Sequence, residues 1–186
     1  MIILASASPR RKELLQKLCD KFLIDASDAE EIQFADSPKE LAIKNAVFKA
    51  QKIAEKYSAE DIVIGADTIV TLDGKIFCKP KDKNGAKKML RELAGKKHEV
   101  ITGLAIIHEK KIFTAAESTE VFFGEMTDEE IFSYVETGEP LDKSGSYALQ
   151  GGAAKFIEKI NGDWSNVVGL PLYRLRLLAK SAGIFI

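Results

Sequence analysis

What this chain lacks narrows its chemistry before any element is assigned. It has only two cysteines, Cys19 and Cys78, with neither paired spacing nor a CxxC pattern. A secreted chain of this size often carries more, so both thiols are expected to be reduced, with Cys19 in the core. No apolar stretch approaches a membrane span: residues 1–5 are apolar but far too short for a signal h-region, and basic residues follow them. The expectation is a cytoplasmic chain with no membrane partner. Charge of one sign is missing too, because 27 Lys and Arg face 28 Asp and Glu. No global field then recruits nucleic acid, and any anion site must be local. A GxxxxGK phosphate loop, a GxGxxG fingerprint, an HExxH zinc motif and a GxSxG elbow are all absent, which disfavours common ATPases, dehydrogenases, zinc peptidases and serine hydrolases.

What is present is enough apolar material for a core. The 186 residues are 46% hydrophobic, near the upper end for one ordinary domain, and residues 1–186 read as a single domain with two lobes around a cleft. Residues 1–4 predict a strand, then a tight turn with Ser8 as N-cap and Pro9 at the first helical position. The helix places Leu14, Leu15 and Leu18 on one stripe and is expected to end near Asp20, before a second strand at 22–26 and an acidic loop at 28–31. Ser37, Pro38 and Glu40 predict a capped helix from 38 to about 56. Residues 62–65 predict a buried strand leading to Asp67, and Asp73-Gly74 predicts a hairpin between 68–72 and 75–78.

A helix at 84–94, long paired strands at 100–108 and 112–123, and a capping box at Thr127–Glu130 opening a helix to Gly138 come next. A polar loop at 139–152, a strand at 154–160 and a last helix from Pro171 to Gly183 complete the reading. Strands alternate with helices, yet the hairpins require antiparallel pairs. The predicted fold class is therefore α/β, a mixed twisted β-sheet with helices on both faces.

Chemistry collects at a few positions. The helix after Ser8 opens with Arg10, Arg11 and Lys12, although the helix dipole disfavours basic side chains there, so an anion such as a polyphosphate is the simplest missing partner. Arg11 extends the leucine stripe and is expected to point inward, with Arg10 turned about 100° away. A structural ion pair for one arginine and solvation of the other fits the segment equally well. Asp67 suits a metal ligand or a general base, or else a turn aspartate that caps local backbone. Glu30 and Glu31 suit a metal-binding pair or a solvated loop. Lys49 lies on the small-residue face of Ala42, Ala46, Ala50 and Ile53, an odd place for a solvated lysine unless it is an edge lysine with a buried stem. Together Glu31, Asp67, Arg10, Arg11, Lys49 and Lys79 supply what phosphoanhydride hydrolysis needs: hard-cation ligands, a carboxylate for water, and cations for the leaving phosphates. His98 and His108 read as structural or surface residues, and Phe122 and Phe123 as core.

Five motifs occur in order: LASASPRRKELL at 4–15, GADTIV at 65–70, KP at 79–80, LDKSGSYALQG at 141–151 and NVVGLPL at 166–172. In these the chain resembles the Maf family of nucleotide pyrophosphatases. The resemblance implies hydrolysis of a nucleoside triphosphate to monophosphate and pyrophosphate on an ITP pyrophosphatase-like (Maf/Ham1-type) fold with a central cleft, with Mg2+ or Mn2+, or else Co2+, as cofactor. Ser8, Arg10 and Arg11 match the phosphate-binding turn, and Lys49 and Lys79 the further cationic positions. Asp67 and Glu31 match the metal-binding and general-base carboxylates, with either in either job. Glu31 rather than Glu30 rests on loop spacing. Thr68 and Gln150 are similar to the branch acting on dTTP and UTP, with CTP as a further substrate, because an amide offers a donor and an acceptor to a pyrimidine edge. The resemblance also implies a homodimer, and the balanced charge argues against a stable nucleic-acid partner. The competing reading is a non-catalytic nucleotide-sensing or nucleic-acid-binding regulator of septum formation.

Overall fold

The computed structural model describes residues 1–26 and 31–186, in the order β1 (Ile2–Leu4), α1 (Pro9–Leu15), β2 (Leu23–Ile24), α2 (Pro38–Ala54), β3 (Ile62–Leu72), β4 (Lys75–Phe77), α3 (Lys83–Leu93), β5 (Lys97–His108), β6 (Lys111–Phe123), α4 (Asp128–Glu136), β7 (Ile157–Asn161), α5 (Trp164–Val168) and α6 (Leu172–Ser181). Glu30 and most of the acidic loop lie outside the described residues. The strands form one mixed sheet in the order β2-β1-β3-β5-β6-β7, with β4 also paired to β3. β1 runs parallel to β2 and β3, whereas β3 with β4 and β6 with β7 are antiparallel. This is the predicted mixed α/β class.

Local chemistry explains where elements begin. Ser8 and Ser37 cap α1 and α2 with proline just inside each helix, and Asp82 caps α3 by accepting from Gly85 N–H at 2.7 Å. Thr127 and Glu130 close a reciprocal capping box on α4. Each such cap contributes about 1 kcal/mol. Asp73 and Gly74 both take positive φ, 51° and 79°, as the tight turn of the β3–β4 hairpin requires.

Several expectations are corrected. α1 stops at Leu15 rather than near Asp20, because Lys17 and Leu18 N–H bond back three residues and tighten the last turn. Cys19 is consequently half-buried rather than in the core, and Cys78 is exposed. β5 begins three residues earlier than its apolar alternation, at Lys97. Residues 154–156 form a 3-10 turn, so the strand expected from 154 starts at Ile157. Phe123 is buried but Phe122, on the alternate face of β6, is half-exposed under the Lys159 ammonium. Pro171 is the extended N-cap of α6 rather than its first helical residue. The five-residue α5 was not anticipated.

The chain divides into two compact units. The first comprises Met1–Thr68, Thr102–Glu117 and Gly169–Ile186. Here α2 lies on the sheet through Ala46, Ala50 and Ile53, packed with Ile3, Ala5, Val63 and Ala105. The neighbouring residues Leu4, Ile64, Leu104 and Ile106 alternate to the other face and are fully buried too, so both faces are covered. α1 and α6 bury Leu14, Leu15, Leu175 and Leu178. The second unit, Ile69–Ile101 and Ser118–Val168, centres on Phe77, Leu90, Leu93, Val121, Phe123, Ile131, Val135 and Tyr147.

Candidate active site

Close contact between α2 and two glycines builds the site in the first unit. A Cβ on Gly65 of β3 would sit 2.2 Å from the Ala46 carbonyl oxygen, and one on Gly103 of β5 2.3 Å from the Ala42 backbone. Only glycine lets the helix backbone approach so closely, which is why Ala42, Ala46 and Ala50 repeat every four residues. β3 continues through Gly65 without a break, pairing with β1 at residues 62–64 and with β4 at 70–72. Asp67 therefore stands inside a continuous strand, in the interval between those pairings, and not beyond a strand end as expected.

Asn45 and Lys49, one turn apart on α2, both reach Asp67. The Lys49 ammonium donates to Asp67 Oδ1 at 2.6 Å and to Glu31 Oε1 at 2.8 Å. Asp67 is 6% exposed, and its second oxygen accepts from Asn45 Nδ2 at 3.3 Å. Asn45 also clasps the Ile32 backbone, accepting from its N–H at 2.7 Å and donating to its carbonyl at 3.2 Å, which holds the residue next to Glu31. Sequence reasoning missed Asn45. The available signal was a polar residue four before Lys49 on an otherwise small, buried face.

A second cluster forms around Arg11. Its Nε donates to the Gly169 carbonyl at 2.8 Å, Nη2 to Thr68 Oγ1 at 3.0 Å and Nη1 to Ser6 Oγ at 3.3 Å. Thr68 Oγ1 also lies 3.0 Å from Thr102 Oγ1. One guanidinium thus ties the SPRR, GADT and NVVGLP motifs together. Burial pushes the Arg11 pKa below its usual value; the Asp67 and Glu31 carboxylates oppose that shift, and Arg10 adds to it. Arg11 points inward, as its place on the leucine stripe predicts. Arg10 is half-buried and makes no hydrogen bond or ion pair among the described residues. Ser8 Oγ accepts from Arg11 N–H at 3.4 Å.

Asp67 and Thr68 are neighbours on a strand, so one meets α2 and the other meets α1. The structure accordingly brings Asp67, Glu31 and Lys49 together, and separately joins Arg11 to Thr68. Lys79 and Gln150 belong to the second unit, where both are exposed. The segment bearing Gln150 is fastened locally: Tyr134 donates its hydroxyl to Glu139 Oε1 at 2.8 Å and accepts from Ala148 N–H, while Glu139 accepts from Gly152 N–H at 3.1 Å. In the same unit His98 is buried, 2.7 Å from the Tyr147 hydroxyl, and burial pushes its pKa down to about 4. It is neutral at pH 7, consistent with a structural role. His108 is half-buried.

Hard divalent cations prefer carboxylate oxygens, and Mg2+ keeps several waters or substrate phosphate oxygens as further ligands. Among the described residues no group of three or more His, Cys, Asp and Glu gathers. Two carboxylates nevertheless converge on one positive charge, and the Lys49 ammonium stands in for a cation there. Glu31 and Asp67 therefore fit such a metal.

The sequence profile of the Maf-like protein family matches residues 1–182, and the chain belongs to that family. It is 51% identical to a Bacillus cytotoxicus protein named dTTP/UTP pyrophosphatase, over 93% of this chain and 91% of that relative. A Clostridium botulinum protein of the same name is 48% identical over 97% of this chain and 98% of its own length. Among solved structures the chain is similar to the Staphylococcus aureus Ham1 protein, with TM-score 0.43 and 16% identity over 83% of this chain and 92% of that one. A HAM1 protein from Coxiella burnetii gives 0.44 and 16%, over 78% and 85%. No helix among the described residues is long and apolar enough to cross a membrane.

Proposed function

We propose that this chain is a metal-dependent nucleoside triphosphate pyrophosphatase that converts dTTP and UTP, with CTP as a further substrate, to the monophosphate and pyrophosphate. The observation that carries the chemistry is the convergence of Glu31 and Asp67 on a single cation; the substrate class comes from relatives named dTTP/UTP pyrophosphatase at about half identity. In this reading Glu31 and Asp67 hold Mg2+ or Mn2+, or else Co2+. When bound, the metal neutralises phosphate charge and makes a coordinated water more acidic. Whichever carboxylate oxygen is not on the metal accepts the proton of the attacking water. Asn45 keeps Asp67 oriented by donating to its second oxygen.

Arg10 and Ser8 engage the phosphates, and Arg11 holds Thr68 and the α1 turn in register while its remaining N–H groups face the same anion. Lys79, as a phosphate-directed cation, and Gln150, as a base-reading amide, enter from the order of the family's motifs. Residues 1–186 act as one catalytic domain, since the family profile covers residues 1–182 and so reaches both units. A homodimer in the cytoplasm, without nucleic-acid or membrane partners, completes the proposal.

The test measures pyrophosphate and phosphate separately over a nucleotide panel with Mg2+, Mn2+ and Co2+. Pyrophosphate should appear from dTTP and UTP, and Asp67→Asn should lower turnover at least about 10²-fold while the circular dichroism spectrum stays native. Turnover of no nucleotide would sink the enzyme reading and favour a nucleotide-sensing regulator. Near-normal activity of the variant would remove Asp67 from the chemistry.

A further inference from the structure

We propose that Lys49 is the resident counter-cation of the Glu31–Asp67 pair, and that it leaves the pair when a divalent cation takes those oxygens, freeing its ammonium for the substrate's phosphates. The inference rests on the metal-dependent reading above and adds an exchange to it. Lys49 Nζ lies 2.6 Å from Asp67 and 2.8 Å from Glu31, so it uses the very oxygens a hard cation needs. An ammonium and a dication that share these oxygens repel each other strongly even at the effective dielectric of a protein surface. The two therefore compete for the pair.

The competition is built into the fold. The Lys49 side chain is 14% exposed and that of Asp67 8%, so neither of these charges is left to water, and the buried Asp67 carboxylate beside the more exposed Glu31 calls for a cation between them. Close packing of α2 on Gly65 and Gly103 holds the Lys49 backbone in place. Its four-carbon stem still lets the head swing while the helix stays put. Asn45 meanwhile fastens Asp67 and the Ile32 backbone independently of Lys49. The carboxylates thus keep their places when the ammonium departs. Because both use the same oxygens, whatever strengthens the lysine's hold weakens that of the metal.

The experiment titrates the full-length protein with Mn2+ alone, followed by loss of the free-ion electron paramagnetic resonance signal. Lys49→Met and Lys49→Gln, two variants in case one misfolds, should each bind Mn2+ about tenfold more tightly than the unsubstituted chain, a change of about 1.4 kcal/mol. Lys49→Arg, which keeps a competing cation, should show no such gain. In the unsubstituted chain Mn2+ should raise the rate at which acetic anhydride modifies Lys49, read by peptide mass. Unchanged or weaker Mn2+ binding in both neutral variants overturns the exchange, as does binding of Mn2+ by none of the proteins or a Lys49 reactivity that Mn2+ does not raise. Absence of dTTP hydrolysis alongside the expected tightening would instead fault the enzymatic reading and leave the exchange standing.

Discussion

Replacing Gly65 by alanine tests the contact on which the candidate site depends. The new Cβ would lie 2.2 Å from the Ala46 carbonyl oxygen and 2.9 Å from Ala50 Cβ, whereas ordinary contact begins at 3.4 Å, so α2 must withdraw by about 1 Å. Rotation offers no escape, because the same helix presses its Ala42 backbone on Gly103. Overpacking of this kind costs about 3 kcal/mol, which for a chain of this size lowers Tm by about 6–12 °C. Lys49 and Asn45 ride on α2 and touch Asp67 at 2.6 and 3.3 Å, so the same withdrawal should reduce kcat for dTTP about 10²-fold. Differential scanning calorimetry and a pyrophosphate-release assay read the two effects. Gly74→Ala is the comparison: open space surrounds that glycine but its φ is +79°, so it should cost about 1–2 kcal/mol of turn strain and leave kcat unchanged. A Gly65→Ala protein that melts within 2 °C of the parent (roughly the shift of less than 1 kcal/mol) and turns over normally would refute the close-packing argument.

Arg11→Lys keeps the charge but loses the fork that joins Gly169, Thr68 and Ser6, so it should cost about 2 kcal/mol, or about 4–8 °C in Tm, seen by thermal melting without nucleotide. His98 is held neutral, with its pKa lowered from 6.5 to about 4. Its unfolded form binds a proton first, so its contribution to stability is complete above pH 6.5 and is lost as pH falls toward 4. Between pH 8 and pH 5 that loss is about 2 kcal/mol, and urea denaturation of His98→Gln should show a pH dependence shallower by that amount; parallel curves would contradict it. Gln150→Glu should weaken turnover of dTTP and UTP, and an unchanged preference across the panel would remove Gln150 from base reading.

Features whose causes lie within three or four residues were legible in the sequence. The caps at Ser8, Ser37 and Thr127 and the turn at Asp73-Gly74 depend on one side chain and its nearest amides, and each appears where the spacing places it. The inward course of Arg11 followed from its place on the leucine stripe. The same reasoning erred where a local signal had two meanings. Gly65 looked like the end of a strand, but its missing side chain serves the packing of α2, so β3 runs on and Asp67 sits within it. The five residues of α5 are too few to show a helical period.

The sequence by itself determined the family, the mixed α/β class and the list of charged residues available for phosphate chemistry, because motif order, capping and hydrophobic alternation are properties of short stretches of chain. Tertiary structure decided which of those residues meet. Lys49 joins Asp67 and Glu31 across 18 residues on either side, Arg11 reaches the Gly169 carbonyl across 158, and Asn45, unremarkable in its own stretch, becomes the clasp between Asp67 and Ile32. These contacts follow from how closely a helix backbone can approach two glycines, a distance set only when separate elements pack.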